Sequence, residues 1–165
     1  MQIRASFWEL LYLKTDQMTI KRVDSSDTDF KNLVKLLDAD LAVRDGDDHA
    51  FYHQFNAIDM LKNCVVLYVD DLAVACGAFK PFSDDTVEIK RMYTDPQKRK
   101  LGLASKTLKE LEHWAKTLGY SKCVLETGVK QPEAIALYEK NGYRRIPNYG
   151  QYEGVENSVC FEKVI

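Results

Sequence analysis

The run Arg99-Lys100-Leu101-Gly102-Leu103-Ala104-Ser105 has the residue types of an anion seat. It stands where an amphipathic helix should begin, and a helix N-terminus offers unpaired N–H groups and the positive end of the macrodipole. Gly102 and Ala104 carry almost no side chain, so a phosphate can approach the backbone closely. Lys98, Arg99, Lys100 and Lys106 add positive charge around the same place. Taken alone, Arg-x-x-Gly-x-Ala is short and common, and it reads equally as a helix start with a solvated basic turn. Upstream, Glu88 is a carboxylate that on a sheet can accept a proton. Its plainer reading is a strand residue ion-paired with Lys90 on the same face.

Three elements must position this seat. Residues 86–94 are expected to form a strand with Val87, Ile89, Arg91 and Tyr93 on one face and Glu88, Lys90 and Met92 on the other. Asp95-Pro96 ends it, because Pro lacks an N–H for the ladder and restricts the residue before it. The helix that follows places Ala104, Leu108, Leu111, Ala115 and Leu118 on one apolar stripe.

The spacing Arg99-x-x-Gly102-x-Ala104, after a Glu-bearing strand and before this helix, resembles the acyl-CoA pyrophosphate loop of the GNAT superfamily of N-acetyltransferases. Downstream, Ala134-Ile135-Ala136-Leu137-Tyr138-Glu139-Lys140-Asn141-Gly142-Tyr143 is similar to that superfamily's second signature, Ala-x-x-Leu-Tyr-x-x-x-Gly-Tyr/Phe. The two stand in the expected order, and the resemblance covers roughly residues 18–165. It implies an α/β fold, the acyl-CoA N-acyltransferase fold, whose mixed sheet is splayed between its fourth and fifth strands with helices on both faces. The activity implied is transfer of an acetyl group from acetyl-CoA to a primary amine, on a small molecule or a protein, by direct attack in a ternary complex. No metal is called for. The competing reading is a catalytically idle acyl-CoA-binding sensor of the same fold.

The resemblance also implies roles. The pantetheine arm pairs with the backbone of Met92, Tyr93 and Thr94, and the pyrophosphate sits on the N–H groups of Arg99, Lys100, Leu101, Gly102, Leu103, Ala104 and Ser105. A backbone N–H near Met92 steadies the developing oxyanion. Glu88 stands where histone-acetylating members place their catalytic Glu, and Tyr138 where the superfamily protonates the departing sulfur. Two positions depart from the pattern: Lys100 replaces a frequent Gly, and Gln131 stands near where many relatives use Asn to touch the cofactor. Glu126, Tyr149 and Tyr152 are expected to line the acceptor pocket, the two tyrosines on a mobile flap.

Bulk properties set limits. The chain has 165 residues, a length suited to a single N-acetyltransferase domain over 18–165 preceded by an N-terminal extension over 1–17. A formal net charge of -2 argues against a nucleic-acid binder, whose affinity rests on neutralising many phosphates. Cys64, Cys76, Cys123 and Cys160 sit in apolar runs without a Cys-x-x-Cys pair, which suits buried free thiols in a reducing cytoplasm. No apolar run reaches the ~18 residues of a membrane span. The stretch Phe7 to Leu13 is broken by Glu9 and too short for a signal-peptide core. No oligomeric state is written in the residues, although homodimers are common among members of the superfamily.

Elsewhere, Asp24-Ser25-Ser26-Asp27 supplies N-cap chemistry for a helix running to about residue 43, with Phe30, Leu33, Val34, Leu37 and Leu41 as its stripe. Asp45-Gly46-Asp47-Asp48 reads as a solvated turn, or as an acidic rim attracting a cationic amine. His49 and His53 stand at i and i+4, but Ala50 occupies the Glu position of a zinc-protease helix and no third ligand presents itself. Phe51, Phe55 and Ile58 share their helical spacing as core. Asp70-Asp71 should turn a hairpin, and Pro132 should open a last helix that Asn141-Gly142 ends. A phosphate-loop nucleotide binder is disfavoured, since no Gly-x-x-x-x-Gly-Lys-Ser/Thr occurs.

Overall fold

The computed structural model describes residues 17–54 and 61–165. The expected extension over 1–17 therefore lies almost wholly outside the described residues, as do Phe55 and Ile58. In chain order come β1 (Met18–Val23), α1 (Thr28–Asp45), a 3-10 turn (Gly46–Asp48), α2 (His49–His53), β2 (Asn63–Val69), β3 (Leu72–Pro81) and β4 (Thr86–Thr94). A 3-10 turn (Pro96–Lys98) leads to α3 (Leu103–Thr117), then β5 (Lys122–Gly128), α4 (Pro132–Lys140) and β6 (Arg144–Ile146). A last 3-10 turn (Gly150–Tyr152) precedes β7 (Ser158–Val164).

The strands form a single mixed sheet in the order β1-β2-β3-β4-β5-β7-β6. Among the described residues only β4 and β5 run parallel, with Thr86, Val87 and Glu88 in register with Lys122, Cys123 and Val124. Beyond Glu88 the two strands part, as the splay between fourth and fifth strands requires. Helix α1 covers one face: Phe30, Leu33, Val34 and Leu37 pack on Val66, Cys76 and Tyr93. On the other face Leu108, Leu111 and Ala115 of α3 and Tyr138 of α4 pack on Val87, Ile89, Leu125 and Phe161. Burial of these apolar stripes supplies the main drive for folding.

Local chemistry places the element ends. The Asp27 side chain accepts from the Phe30 N–H at 2.8 Å and caps α1. Asp70 and Asp71 both take positive φ, 49° and 65°, which matches the primed turn that a right-twisted hairpin favours. Helix α1 runs past the expected end at residue 43, so Asp45 is helical and buried instead of part of a solvated turn.

The expected alternation along β4 is wrong after Lys90. Ala78 pairs with Lys90 and Cys76 with Tyr93, so one residue of β3 faces two of β4, a β-bulge. Arg91 takes φ 59° at the bulge and buries its guanidinium beside Asp38 of α1, 2.5 Å away. Tyr93 thereby joins the α1 face, while Met92 joins the α3 face against Val87 and Ile89. Gly77 lies opposite, where a Cβ would stand 2.5 Å from Met92 Sδ and 2.8 Å from Leu111 Cδ1.

Candidate active site

The anion seat is built as its residue types require. Asp95 caps the 3-10 turn by accepting from the Gln97 N–H at 2.9 Å, and the chain then passes through Lys100 at φ 67° and Gly102 at φ 75°. Gly102 is the N-cap of α3 and makes no side-chain cap bond. Among the described residues nothing accepts a hydrogen bond from the N–H groups of residues 99–105. A Cβ on Gly102 would meet nothing within 4 Å, so its approach is open. Successive free amides with alternating backbone sign make an anion-binding concavity. Asn141 Nδ2 donates to Ser105 Oγ at 3.0 Å and to the Leu137 carbonyl at 2.8 Å, tying the end of α4 to the start of α3.

A cavity of about 560 Å³ runs from this seat into the splay between β4 and β5. Met92, Tyr93 and Thr94 line it along β4. Arg99, Lys100, Gly102, Leu103, Ala104 and Ser105 line it at the seat, and Gln131 at the start of α4. Leu101 does not line it and is exposed. Of the four basic side chains expected there, Arg99 and Lys100 reach the cavity wall, whereas Lys106 donates to Met18 Sδ at 3.4 Å. Lys140, at the end of α4, is an unforeseen cation on the wall.

Glu88 is 2% exposed. Its Oε2 accepts from the Tyr149 hydroxyl at 2.7 Å, and its Oε1 lies 3.4 Å from Lys90 Nζ and 3.6 Å from Lys80 Nζ. The ion pair with Lys90, the plainer of the two readings of this residue, is present. Burial pushes the Lys90 ammonium down, against the pull of Glu88. Tyr149, expected to line the acceptor pocket, donates to Glu88 and does not itself line the cavity, with Phe82 and Tyr152 edge-on to its ring. Asn148 Nδ2 donates to the carbonyls of Val155 at 2.9 Å and Ser158 at 3.0 Å, so the loop expected as a flap is tied to the start of β7. Tyr152, on that loop, is buried and lines the cavity.

Tyr138 lies on the wall, its ring edge-on to Tyr143 at 5.7 Å and tilted against Phe161 at 5.9 Å. Burial pushes its phenol up, so it is protonated at neutral pH and able to donate. Glu126 lines the cavity from β5, and its Oε1 is shut from solvent without a hydrogen-bond partner among the described residues. Burial pushes its carboxyl up to about 7, opposed by the Ser158 hydroxyl and the Lys90 ammonium and reinforced by Asp45 and Glu88.

The acidic-rim reading marks Asp45, but nothing in the sequence pattern marks Tyr52 as a wall residue. Asp45 reaches the cavity as the last residue of α1, which runs past its expected end at about residue 43, and the Tyr52 hydroxyl meets Ser158 Oγ at 3.1 Å beside it. A charged strap was also hidden in it: Arg44 of α1 pairs with Asp40 and with Glu133 of α4, and Arg99 lies 3.8 Å from Asp40 and 4.0 Å from Glu133. Among the described residues no group of three or more His, Cys, Asp or Glu is placed to hold a metal ion. The four cysteines are buried and unpaired. No described helix is long and apolar enough to cross a membrane.

Comparison with known proteins points the same way. Residues 30–143 match the model of the acetyltransferase (GNAT) family. An IAA acetyltransferase of Azospirillum brasilense is 35% identical over 91 residues, which cover 54% of this chain and 60% of that protein. The chain spans about half the length of the curated relatives it matches. Among solved structures, a putative acyl-CoA N-acyltransferase from Klebsiella pneumoniae superposes with TM-score 0.75 and 30% identity, over 90% of this chain and 97% of that one. An N-acetyltransferase from Thermoplasma acidophilum in complex with coenzyme A shares the fold, with TM-score 0.68 and 15% identity over 90% of this chain and 99% of that one. With its two sequence signatures, its splayed mixed sheet and its open amide seat, this chain belongs to the GNAT acetyltransferase family.

Proposed function

We propose that the protein transfers an acetyl group from acetyl-CoA to a primary amine, carried by a small molecule or a protein, within a ternary complex. The observation that carries this reading is the set of free main-chain amides at residues 99–105, opening on a cavity that reaches the parting of β4 and β5. The residues present fit acetyl-CoA. The amides and the Arg99 and Lys100 side chains suit a diphosphate, and the backbone of residues 92–94, beyond the paired part of β4 and β5, suits an extended amide arm. The coenzyme A complex of the Thermoplasma relative supports the same use of the fold.

Acetyl-CoA supplies a thioester whose carbonyl carbon is the electrophile. A backbone N–H near Met92 steadies charge on the carbonyl oxygen. Tyr138, protonated and on the wall, donates to the departing sulfur. Among the wall carboxylates, Glu88 and Glu126 stand on β4 and β5 at the splay, and one of them takes the amine's proton.

The test is thiol release from acetyl-CoA across a panel of primary amines, paired with calorimetric titration of coenzyme A and of ATP. Acetylation of an amine, with binding of coenzyme A and not ATP, is the expected result. Coenzyme A binding with no amine acetylated favours the idle sensor, and ATP binding alone overturns both.

A further inference from the structure

We propose that Glu126 is the group that takes the proton from the acceptor amine, and that Glu88 is a fixed partner of Lys80, Lys90 and Tyr149. This rests on the acetyl-transfer reading above. A base needs a lone pair free to meet the substrate. Glu88 has one oxygen on the Tyr149 hydroxyl and the other between two lysine ammonium groups. Both Glu88 Oε1 and Glu126 Oε1 lack a hydrogen-bond partner among the described residues, but Glu126, on the wall of the same cavity, has no ion-pair partner among them within 4 Å, whereas Glu88 has two.

Position separates the two further. Glu88 is the last residue of β4 still paired with β5, through Val124. Glu126 is two residues farther along β5, on the Val124 side of the strand and within the splay, where the β4 edge beyond Glu88 is open to a thioester arm. The groups around it are Glu88 and Lys90 on β4, Asp45 on α1, Tyr52 on α2, Tyr138 on α4, Tyr152 on the loop, and Ser158 and Cys160 on β7. Glu88 and Glu126 both act on Lys90, with the Lys80 ammonium beside them, and Asp45 adds its charge at Glu126. Burial holds Glu126 near 7, where a carboxyl both accepts a proton and releases it to solvent between turnovers.

The step balances as follows. The ammonium gives one proton to Glu126, and the freed nitrogen pair forms the C–N bond to the thioester carbonyl carbon. The C–S bond breaks with its electrons on sulfur. The second nitrogen proton is lost as the amide forms, and the sulfur takes a proton from Tyr138, which is reprotonated from solvent. Overall one proton is released.

The test uses the full chain with 13C-labelled glutamate carboxyls, titrated by NMR from about pH 5 to 9, alongside turnover at saturating acetyl-CoA. The amine probes are phenethylamine, putrescine, lysine methyl ester and a short peptide with a free N-terminus. The carboxyl resonance that vanishes in Glu126→Gln should titrate near 7 in the wild type and in Glu88→Gln. Turnover should rise about tenfold per pH unit below that point; Glu126→Gln should lose the rise and fall roughly 100-fold or more, while Glu88→Gln keeps it. A Glu126 resonance in the ordinary carboxylate range overturns the proposal. So does a rise that survives Glu126→Gln and disappears in Glu88→Gln. Absence of turnover with every amine counts against acetyl transfer itself, and the NMR titration still decides Glu126.

Discussion

Replacing Asp38 by Asn tests how the β4 bulge is held. The Arg91 side chain is 2% exposed, and its Nε and Nη1 have no hydrogen-bond partner among the described residues, so the Asp38 carboxylate at 2.5 Å is what balances the buried guanidinium. Asn keeps the shape and one acceptor but removes the charge. Breaking a buried ion pair by removing one partner costs about 3–5 kcal/mol. Asp38 itself is 36% exposed, so water screens part of the pair and about 2–3 kcal/mol is the expected loss. For a chain of this length that lowers Tm by roughly 4–12 °C. Urea denaturation should show the loss with an unchanged m-value. The double variant Asp38→Asn with Arg91→Met should recover part of it, because no buried charge is left unpaired. A loss under about 1 kcal/mol, or a double variant no more stable than Asp38→Asn alone, refutes the reasoning.

Two further outcomes follow from contacts already described. Gly77→Ala should cost about 1–3 kcal/mol, measured by denaturation, because its Cβ would stand 2.5 Å from Met92 Sδ and 2.8 Å from Leu111 Cδ1. Tyr138→Phe should lower kcat by about 100-fold with little change in acetyl-CoA affinity by calorimetry, since the phenol is assigned to the departing sulfur; equal loss of both would undo that assignment.

The seat was legible because local rules govern it. Gly102 with its positive φ, the small Ala104, the Asp95-Pro96 stop and the apolar stripe of α3 all act within a few residues of one another. The turn at Asp70-Asp71, the cap at Asp27 and the helix start at Pro132 were legible for the same reason. What failed depends on neighbours distant in the chain. The bulge at Arg91 is set by Met92 lying over Gly77 and by Asp38 reaching from α1, although a lone Gly within a strand is a signal for one. The engagement of Glu88 by Tyr149 joins residues 61 apart in sequence. Glu126 was visible as one carboxylate in an apolar strand, but its missing partner is a property of the packed cavity.

The most direct test of the account is amide hydrogen exchange at residues 99–105 with and without coenzyme A. Those N–H groups have no acceptor among the described residues, so they should exchange fast in the free protein and slow by at least about tenfold when a diphosphate caps them. Coenzyme A binding that leaves their exchange unchanged would contradict the account, because the ligand would then be held without the seat on which it rests.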